Sequence, residues 1–474
     1  NNKNDSEKNK RVENNQNDLT FVKPFDLSKA PLIRAKLVKF ANDKSVLLVD
    51  IHHIICDGTS LSIIIDEVCK LYNGESLPEL SISYKDFAVY ENNNLKNGKL
   101  KQAEEYWTNK FKGEITVLNM PTNYQRPAVQ SFEGEKVYTK IDKEKTEKLE
   151  KLAKKLGVTP YMIMLSCYYI LLSKYTSQDD IVVGTPVVGR NNAETSNLVG
   201  MFVNTLALRE KIDSNLSCKE FILAIKNNLL EAYKYQTYPF NELVSKLNLK
   251  RDESRNPLFD TMFIYQSNIF RDIKFNEIKA SYYMPDFNIS KFDLTVEAIP
   301  RDGEIDLSFE YATKLFKKDF IEDLSDCYLN ILDTILTNTD EHITEVQLLT
   351  EQKQNEILSK INDTKLDVPE DKRVIDLFDE QVKKTPDKIA LVFHDEKYTY
   401  KELEEKVTKL SNHIKSLPVY KEICKDETKA IGIMMNRRAE LLISMLAILK
   451  AGCCYLPIDP TYPEGRISYI IDNT

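Results

Sequence analysis

Residues 46–58 read VLLVDIHHIICDG, and the fold of the chain is best interpreted outward from this stretch. Residues 46–55 form a dense apolar run, which predicts a buried central strand. Before it, residues 32–40 (LIRAKLVKF) alternate apolar and polar side chains, which predicts a half-buried strand. After Gly58, residues 60–72 (SLSIIIDEVCKLY) carry apolar residues at helical spacing. The stretch therefore predicts two strands and a helix, with a histidine pair where the second strand ends.

The chain contains five histidines, and two of them, His52 and His53, are adjacent. Neighbours on a strand point to opposite faces, so one imidazole can face a channel while the other packs inward. Burial disfavours the charged imidazolium, and a general base near pH 7 requires the neutral form. The residues alone leave a second interpretation open, in which His52 and His53 are core or loop histidines with satisfied hydrogen bonds and no role in catalysis. A metal site is not expected, because no third histidine lies nearby and HExxH spacing is absent from the sequence.

The composition excludes several classes of protein. The 474 residues carry 65 Lys and Arg against 73 Asp and Glu, a net charge of −8, whereas nucleic-acid binders show a basic footprint. No apolar run approaches the roughly 20 residues of a membrane-spanning helix. The eight cysteines include no CxxC pair, which argues against a zinc ribbon or a thioredoxin-like site. We therefore expect reduced thiols in a cytoplasmic protein that binds neither nucleic acid nor a membrane.

Four segments are expected along the chain. Residues 1–18 are almost wholly polar, which predicts a flexible segment. Residues 19–350 mix strands with helices, which indicates an α/β fold. Residues 351–372 lose apolar content and gain charge, so they are predicted to be a linker. Residues 373–474 then alternate strand and helix in a βαβ rhythm that predicts a parallel sheet.

Residues 52–58, HHIICDG, resemble the HHxxxDG motif of the condensation domains of nonribosomal peptide synthetases, which are grouped with chloramphenicol acetyltransferase. Seven residues with four fixed positions are moderately specific, but further segments resemble the same family in the same order. These segments are PFDLSKAPLIR (24–34), KDFAVYEN (85–92), EYW (105–107), VLNMPTNYQRPAVQSFEGEK (117–136), IVVGTPVVGR (181–190), LVGMFVNTLALR (198–209), YPF (238–240), RDESRNPL (251–258) and KFDLT (291–295). Their ordered spacing makes chance agreement implausible.

A second resemblance concerns the end of the chain. Residues 398–403 (YTYKEL) and 449–460 (LKAGCCYLPIDP) resemble the first two motifs of an adenylation domain. The phosphate loop, amino-acid pocket and C-terminal lysine of that family do not follow in this sequence. We therefore expect residues 373–474 to be the truncated beginning of an adenylation domain, without adenylation activity of its own.

The resemblance implies a two-lobed fold of the chloramphenicol acetyltransferase type, with a truncated amino-terminal lobe and lobes at approximately 19–140 and 141–350. It implies an acyl transfer in which an acceptor amine attacks a donor thioester to form an amide. Both substrates ride on phosphopantetheine arms of an upstream donor and a downstream acceptor carrier domain, so the chain itself is expected to bind no cofactor. The rest of the adenylation domain is a further expected partner.

The resemblance also assigns catalytic residues. His53, beside His52, is expected to take a proton from the attacking amine or to hold the amine by a hydrogen bond. Backbone N–H groups around Gly58 are expected to stabilise the oxyanion. Asp57 is better interpreted as an architectural residue that pairs with an arginine than as an acid.

Supporting residues follow from the same resemblance. Arg34 and Arg190 are the candidates within the chain for the arginine that pairs with the motif aspartate. Asn204 is expected to line the substrate tunnel or to support it. Residues 57–60 (DGTS) resemble domains that join an L-donor to an L-acceptor. The alternative function that stays open is a non-catalytic domain that recruits carriers, or an inactive truncated remnant of a synthetase.

Overall fold

The computed structural model describes residues 21–41, 44–266, 273–276, 278–281, 287–369, 371–423 and 430–473. The predicted flexible segment 1–18 lies outside the described residues. The chain divides into two compact units, the first ending at Ile357 and the second beginning at Leu358. Each unit is described separately.

The first unit contains ten strands and most of the described helices. In chain order they are β1 (Ile33–Ala41), β2 (Lys44–Ile51), α1 (Gly58–Tyr72), α2 (Tyr84–Lys96), α3 (Lys101–Lys110), β3 (Gly134–Ile141), α4 (Lys143–Leu156), α5 (Pro160–Thr176), β4 (Asp180–Val187), β5 (Asn204–Lys211), α6 (Cys218–Lys234), α7 (Phe240–Leu247), β6 (Thr261–Tyr265), β7 (Lys274–Phe275), β8 (Ile278–Lys279), β9 (Leu294–Arg301), β10 (Glu304–Ala312) and α8 (Lys318–Thr337). Helix α9 (Glu351–Ile361) crosses the boundary between the units. The count refers to the described residues alone.

Six of these strands form one mixed sheet, in the order β3–β10–β9–β6–β4–β5. β6 runs parallel to both of its neighbours, β9 and β4, whereas the other pairs are antiparallel. Helix α5 is buried along most of its length, and Leu172, Phe263 and Phe309 have no exposed surface. Strands that pack under covering helices confirm the predicted α/β class.

The helix pair α4–α5 shows how local sequence sets these bounds. Asp142 precedes α4 and accepts a hydrogen bond from the Lys145 N–H (2.9 Å), and Gly157 ends the helix with a φ of 64°. Glycine adopts that conformation without the strain that a Cβ would add. Thr159 caps α5, and Pro160 occupies its first position, where no N–H partner is needed. Local capping thus sets both ends of α4 and the start of α5.

The expectation of a buried central strand over residues 46–55 is wrong. Strand β2 ends at Ile51 and pairs with β1 in a two-stranded antiparallel sheet. Leu47 is 54% exposed, and Leu37 opposite it is 60% exposed. An apolar run predicts burial only if other elements cover it, and the side chains on this face of the hairpin stay exposed.

Strand β3 lies mostly before residue 141, where the second lobe was expected to begin, yet it belongs to the large sheet of the first unit. This strand, residues 134–141, pairs with β10 along its whole length and so belongs to the six-stranded sheet. Its residues alternate in burial, with Val137 and Ile141 facing the core. Trp107 of α3 and Phe111, which directly follows that helix, join the same core. The core of the six-stranded sheet therefore recruits residues well before position 141.

The second unit begins within α9 and contains α10 (Val374–Lys384), β11 (Ile389–Phe393), β12 (Glu396–Thr399), α11 (Tyr400–Ser416), α12 (Tyr420–Ile423), β13 (Ala430–Met434), α13 (Ala439–Lys450), β14 (Cys454–Ile458) and α14 (Glu464–Asp472). β13 and β14 are parallel neighbours, as the βαβ rhythm predicts. Ile433 is buried, whereas Met434 and Leu442 stay exposed. The segment predicted as a linker, 351–372, is helical over its first half, because α9 lies there.

No single described helix is both long and apolar enough to cross a bilayer. Helices α4 and α5 reach the required length and hydropathy only when taken together, and they are bent by 101° relative to one another. Helix α5 is buried in the core of the first unit.

Trypsin is expected to separate the two units by cutting at Lys365 or Lys372, between α9 and α10. Leu366 and Val368 in this segment are 78% and 68% exposed, and exposed backbone outside regular structure is cut preferentially. Mass spectrometry of a time course identifies the first separating cut. In a Lys365→Gln variant the product that ends at residue 365 disappears while the other products persist. First cuts within the six-stranded sheet would contradict the expected boundary.

Candidate active site

The HHxxxDG segment forms the connection between β2 and α1. His52 follows the strand, and His53 begins a single 3₁₀ turn that ends at Ile55. Asp57 then caps α1, accepting a hydrogen bond from the Ser60 N–H (2.7 Å). An aspartate at this position satisfies one of the N–H groups that a helix start leaves without a partner. The motif therefore places the two imidazoles one turn before a helix N-terminus.

The two imidazoles differ in their surroundings. His52 is half-buried, its Nδ1 accepts the Ile54 N–H (3.1 Å), and its ring meets Phe25 edge-on. His53 is exposed, and its ring has no hydrogen bond within the described part of the chain. One imidazole is thus exposed while the other packs inward, because the strand ends before His53 and the following turn directs it outward.

Arg34 does not reach the motif aspartate. Its guanidinium forms an ion pair with Asp50 across the β1–β2 pair (3.0 Å) and lies over the Phe25 ring, 3.8 Å from the centroid. It also donates to the Lys23 carbonyl. Arg34 thus braces the residues in front of the motif, and Phe25 links it to the ring of His52.

Arg190 is the arginine that pairs with Asp57. Its Nη1 donates to Asp57 Oδ2 at 2.6 Å, and the two side chains are 5% and 0% exposed. The same carboxylate oxygen accepts the Phe202 N–H at 3.0 Å. The guanidinium also lies over the Phe202 ring, 4.1 Å from its centroid. A buried charge is tolerated at low cost only when it is paired and hydrogen-bonded, and both partners meet that condition here.

The hydrogen bonds set the protonation of Asp57. Burial acts to raise the pKa of this carboxyl, but the hydrogen bonds from Arg190, Ser60 and Phe202 outweigh it and hold the pKa below its ordinary value. Asp57 is therefore a carboxylate near neutral pH. It acts as a fixed anchor, and its geometry does not suit a proton donor.

Ser60 and Gly200 complete this anchor, and the sequence analysis did not single them out. Ser60 Oγ donates to the Gly200 carbonyl (2.8 Å) and accepts from Arg190 Nη2 (2.8 Å) and from the Gly200 N–H (3.0 Å). The Asp57 N–H donates to the same carbonyl (3.2 Å). Residues 198–209 resemble a family segment, but the contact between Ser60 and Gly200 spans 140 positions and leaves no local signal in the sequence around either residue.

Gly58 and Asn204 occupy different parts of the site. Gly58 is the first residue of α1 and is exposed, and the N–H groups of the helix start lie beside the histidine turn. Asn204 Nδ2 donates to the carbonyls of Gln236 and Tyr238 (both 2.8 Å), and its Oδ1 accepts the Phe240 N–H (3.2 Å). All of its polar atoms therefore hold the turn before α7, which is a supporting role.

The described residues contain no cluster of three or more histidine, cysteine, aspartate or glutamate side chains arranged to hold a metal ion. The geometry consists instead of one exposed imidazole, one helix N-terminus and a buried ion pair that fixes both.

Residues 1–358 match the family model described as "Condensation domain", and residues 378–474 match that of "AMP-binding enzyme". The chain belongs to the condensation-domain family of nonribosomal peptide synthetases. The condensation domain is thus followed by the start of an AMP-binding domain.

Curated relatives of this condensation domain are large synthetases. Bacitracin synthase 3 of Bacillus licheniformis is 42% identical over 96% of this chain and 7% of its own length. Tyrocidine synthase 2 of Brevibacillus parabrevis is 42% identical over 96% of this chain and 12% of its own length. The chain therefore spans a small part of the relatives it matches. Condensation domains of such synthetases catalyse amide-bond formation, an acyl-transfer reaction.

Solved structures share the fold. A holo four-domain nonribosomal peptide synthetase bound to AMP and glycine matches with a TM-score of 0.78 and 24% identity, over 97% of this chain and 36% of that one. The X-domain from teicoplanin biosynthesis matches with a TM-score of 0.64 and 20% identity, over 69% of this chain and 77% of that one. The condensation domain of the Monacolin K polyketide synthase MokA matches with a TM-score of 0.61 and 20% identity, over 68% of this chain and 76% of that one. The expected condensation-domain fold is confirmed.

Asp57→Ala is expected to lower the free energy of unfolding of the condensation domain by about 3–5 kcal/mol, because it leaves the Arg190 guanidinium buried without a counter-ion. Trp107, the only tryptophan in the chain and buried in the first unit, reports unfolding by fluorescence. Asp66→Ala on α1 is the matched control, since Asp66 pairs with Lys70 at the surface and a much smaller loss is expected. Equal losses in both variants would contradict the prediction.

The stabilisation by Asp57 is expected to depend on pH. Its pKa is depressed in the folded protein, so the stabilisation is complete above the unfolded value of about 3.9 and is lost as the pH falls through the folded pKa. Denaturant unfolding of the unchanged protein and of Asp57→Asn between about pH 7 and pH 3 measures this. The difference between the two should shrink only below about pH 4. A difference that disappears above about pH 5 would argue against a depressed pKa.

Proposed function

We propose that the first unit catalyses the condensation of a donor acyl or peptidyl thioester with an acceptor aminoacyl thioester. The observation that carries the proposal is the exposed imidazole of His53 at a turn held by the buried Asp57–Arg190 pair. A group that exchanges protons with a bound amine must be accessible, and it must also be held in place. Family membership supports the same reaction class.

The proposed step transfers the donor acyl group from a thioester sulfur to the acceptor nitrogen. The acceptor nitrogen forms a C–N bond to the donor carbonyl carbon, and the C–S bond of the donor thioester breaks. His53 accepts the proton that the nitrogen loses, or a hydrogen bond from the amine, and in either case that proton ends on the leaving sulfur, which departs as a thiol. The N–H groups at the start of α1, beside Gly58, are the proposed donors to the oxygen that becomes negative in between.

The proposed partners are carrier domains on either side of the condensation reaction. An upstream carrier would present the donor and a downstream carrier the acceptor, each on a phosphopantetheine arm, and this chain itself would bind no cofactor. The match of residues 378–474 to the AMP-binding family supports the rest of an adenylation domain as a further partner. Condensation domains of multidomain synthetases work with carrier and adenylation domains.

The finer assignment is a domain that joins an L-donor to an L-acceptor. Two features of the sequence support it by resemblance. Epimerisation domains usually carry a tryptophan soon after the serine that corresponds to Ser60, whereas this chain has Leu61 and Ser62. Cyclisation domains replace the histidines of the motif by aspartates, whereas His52 and His53 are present here.

A non-catalytic recruiting domain is the second candidate, and one observation favours it. The X-domain of teicoplanin biosynthesis shares this fold, and a solved structure contains it in complex with OxyB. The intact His53 argues for catalysis, because a purely recruiting domain does not require its exposed imidazole, whereas Asp57 also stabilises the fold. We also propose a cytoplasmic location, since no cysteine within the described residues forms a disulfide, as expected in a reducing compartment.

His53→Ala is expected to lower the single-turnover rate of amide formation by roughly 10²–10⁴-fold, the usual contribution of a general base. The assay mixes the full chain, or its full-length parent, with a donor-loaded and an acceptor-loaded carrier and follows transfer of the donor by mass spectrometry. Binding of the carriers and the unfolding curve should stay unchanged, because the imidazole is exposed and unpaired within the described residues.

His413→Ala is the matched control, since His413 is an exposed histidine on α11 of the second unit. It should condense at the rate of the unchanged protein. If His53→Ala retained that rate, His53 would not be the base. If the unchanged protein bound both carriers without transferring the donor, the recruiting function would replace the catalytic one.

A further inference from the structure

Tyr84 joins two segments that meet at the histidine site. It is the first residue of α2, which a capping box between Ser83 and Asp86 holds in place. The Tyr84 hydroxyl donates to the Met201 carbonyl (2.8 Å), 117 positions along the chain. This hydrogen bond reaches the segment 198–202, which carries the partners of the motif aspartate.

The ring of Tyr84 leaves no room for a side chain at position 200. A Cβ built on Gly200 would lie 2.1 Å from Tyr84 Cδ2, far inside van der Waals contact. Gly200 does not have the positive φ that requires glycine, so the reason for glycine here is space alone. The close packing brings the Gly200 backbone within hydrogen-bonding reach of Ser60.

The same ring also positions Phe202. Tyr84 meets Phe202 edge-on with centroids 5.2 Å apart, and Phe87 of the same helix packs on Phe202 at 4.6 Å. Phe202 in turn supports the guanidinium of Arg190 and donates its N–H to Asp57. The aromatic cluster therefore holds both groups that anchor the motif aspartate.

These contacts form a continuous path to the start of α1. Gly200 accepts the Asp57 N–H and exchanges two hydrogen bonds with Ser60, and Asp57 and Ser60 bracket the first turn of the helix. Displacement of the 198–202 segment would move that turn relative to the histidine turn. A shift of about 1 Å is enough to cost on the order of 10²-fold in rate when reacting groups are aligned.

We propose that Tyr84 is a positioning residue for the condensation reaction, because its ring and hydroxyl fix residues 200–202 and thereby the orientation of the His53 turn and the α1 N-terminus. This inference rests on the proposed function. Tyr84 is half-buried and contacts backbone and aromatic partners, so its effect is exerted through Gly200 and Phe202.

Two substitutions separate the hydroxyl from the ring. Tyr84→Phe removes only the bond to the Met201 carbonyl and should lower kcat a few-fold, whereas Tyr84→Leu also removes the ring and should lower kcat at least tenfold. The KM for each loaded carrier should stay unchanged in both, since no carrier contact is altered. Tyr90→Phe on the same helix, where Tyr90 is exposed, should behave as the unchanged protein.

A double variant tests the path itself. Gly200→Ala alone should lower kcat strongly, because the new Cβ would collide with the Tyr84 ring. In Tyr84→Leu the ring is absent, so adding Gly200→Ala should cost much less than it does alone. Such non-additivity measures direct coupling between the two positions. Additive losses would overturn the proposed path.

Amide hydrogen exchange gives a readout that does not depend on turnover. Peptides covering residues 57–61 and 198–202 should exchange faster in Tyr84→Leu than in the unchanged protein, while peptides from β9 and β10 keep their protection. Trp107 fluorescence checks that both variants are folded, and if Tyr84→Leu is unfolded the test rests on Tyr84→Phe. Unchanged exchange and unchanged kcat in the folded variant would overturn the proposal. A lack of turnover in the unchanged protein would instead refute the proposed function.

Discussion

The buried ion pair between Asp57 and Arg190 is the constraint on which the site depends. Both charges are almost fully buried, and they are tolerated because each makes further hydrogen bonds. The Asp57 carboxylate accepts the N–H groups of Ser60 and Phe202. The Arg190 guanidinium donates to the Ser60 hydroxyl and the Leu198 carbonyl. The pair spans 133 positions of sequence. It therefore ties the β2–α1 connection to the segment after β4, and the position of the histidines follows from that tie.

The site separates the group that reacts from the groups that position it. His53 is exposed, as an acid–base group for large carrier-bound substrates must be, while the polar groups behind it are buried and hydrogen-bonded to one another. Buried polar networks of this kind resist rearrangement because each broken hydrogen bond leaves a group without a partner. A fixed support under an accessible imidazole suits a reaction whose substrates arrive on separate proteins.

The β1–β2 hairpin shows where an apolar pattern does not decide burial. Leu37, Leu47 and Val49 are apolar and exposed, and they form one face of the pair. Exposed apolar faces of this kind mark surfaces at which other chains or segments pack. The opposite face is organised differently, because Arg34 and Asp50 form an ion pair across it.

The sequence by itself determined the local structure and the identity of the motif. Helix α4 begins and ends at its own capping residues, Asp142 and Gly157, and the sequence HHIICDG marks His53 and Asp57 as candidate site residues. Only the tertiary structure decided that Arg190 rather than Arg34 pairs with Asp57, and that β2 is exposed. Capping and periodicity depend on neighbours within a few residues. The Asp57–Arg190 pair joins residues 133 positions apart, and the burial of a strand depends on which elements pack over it, so a single sequence carries no local signal for either.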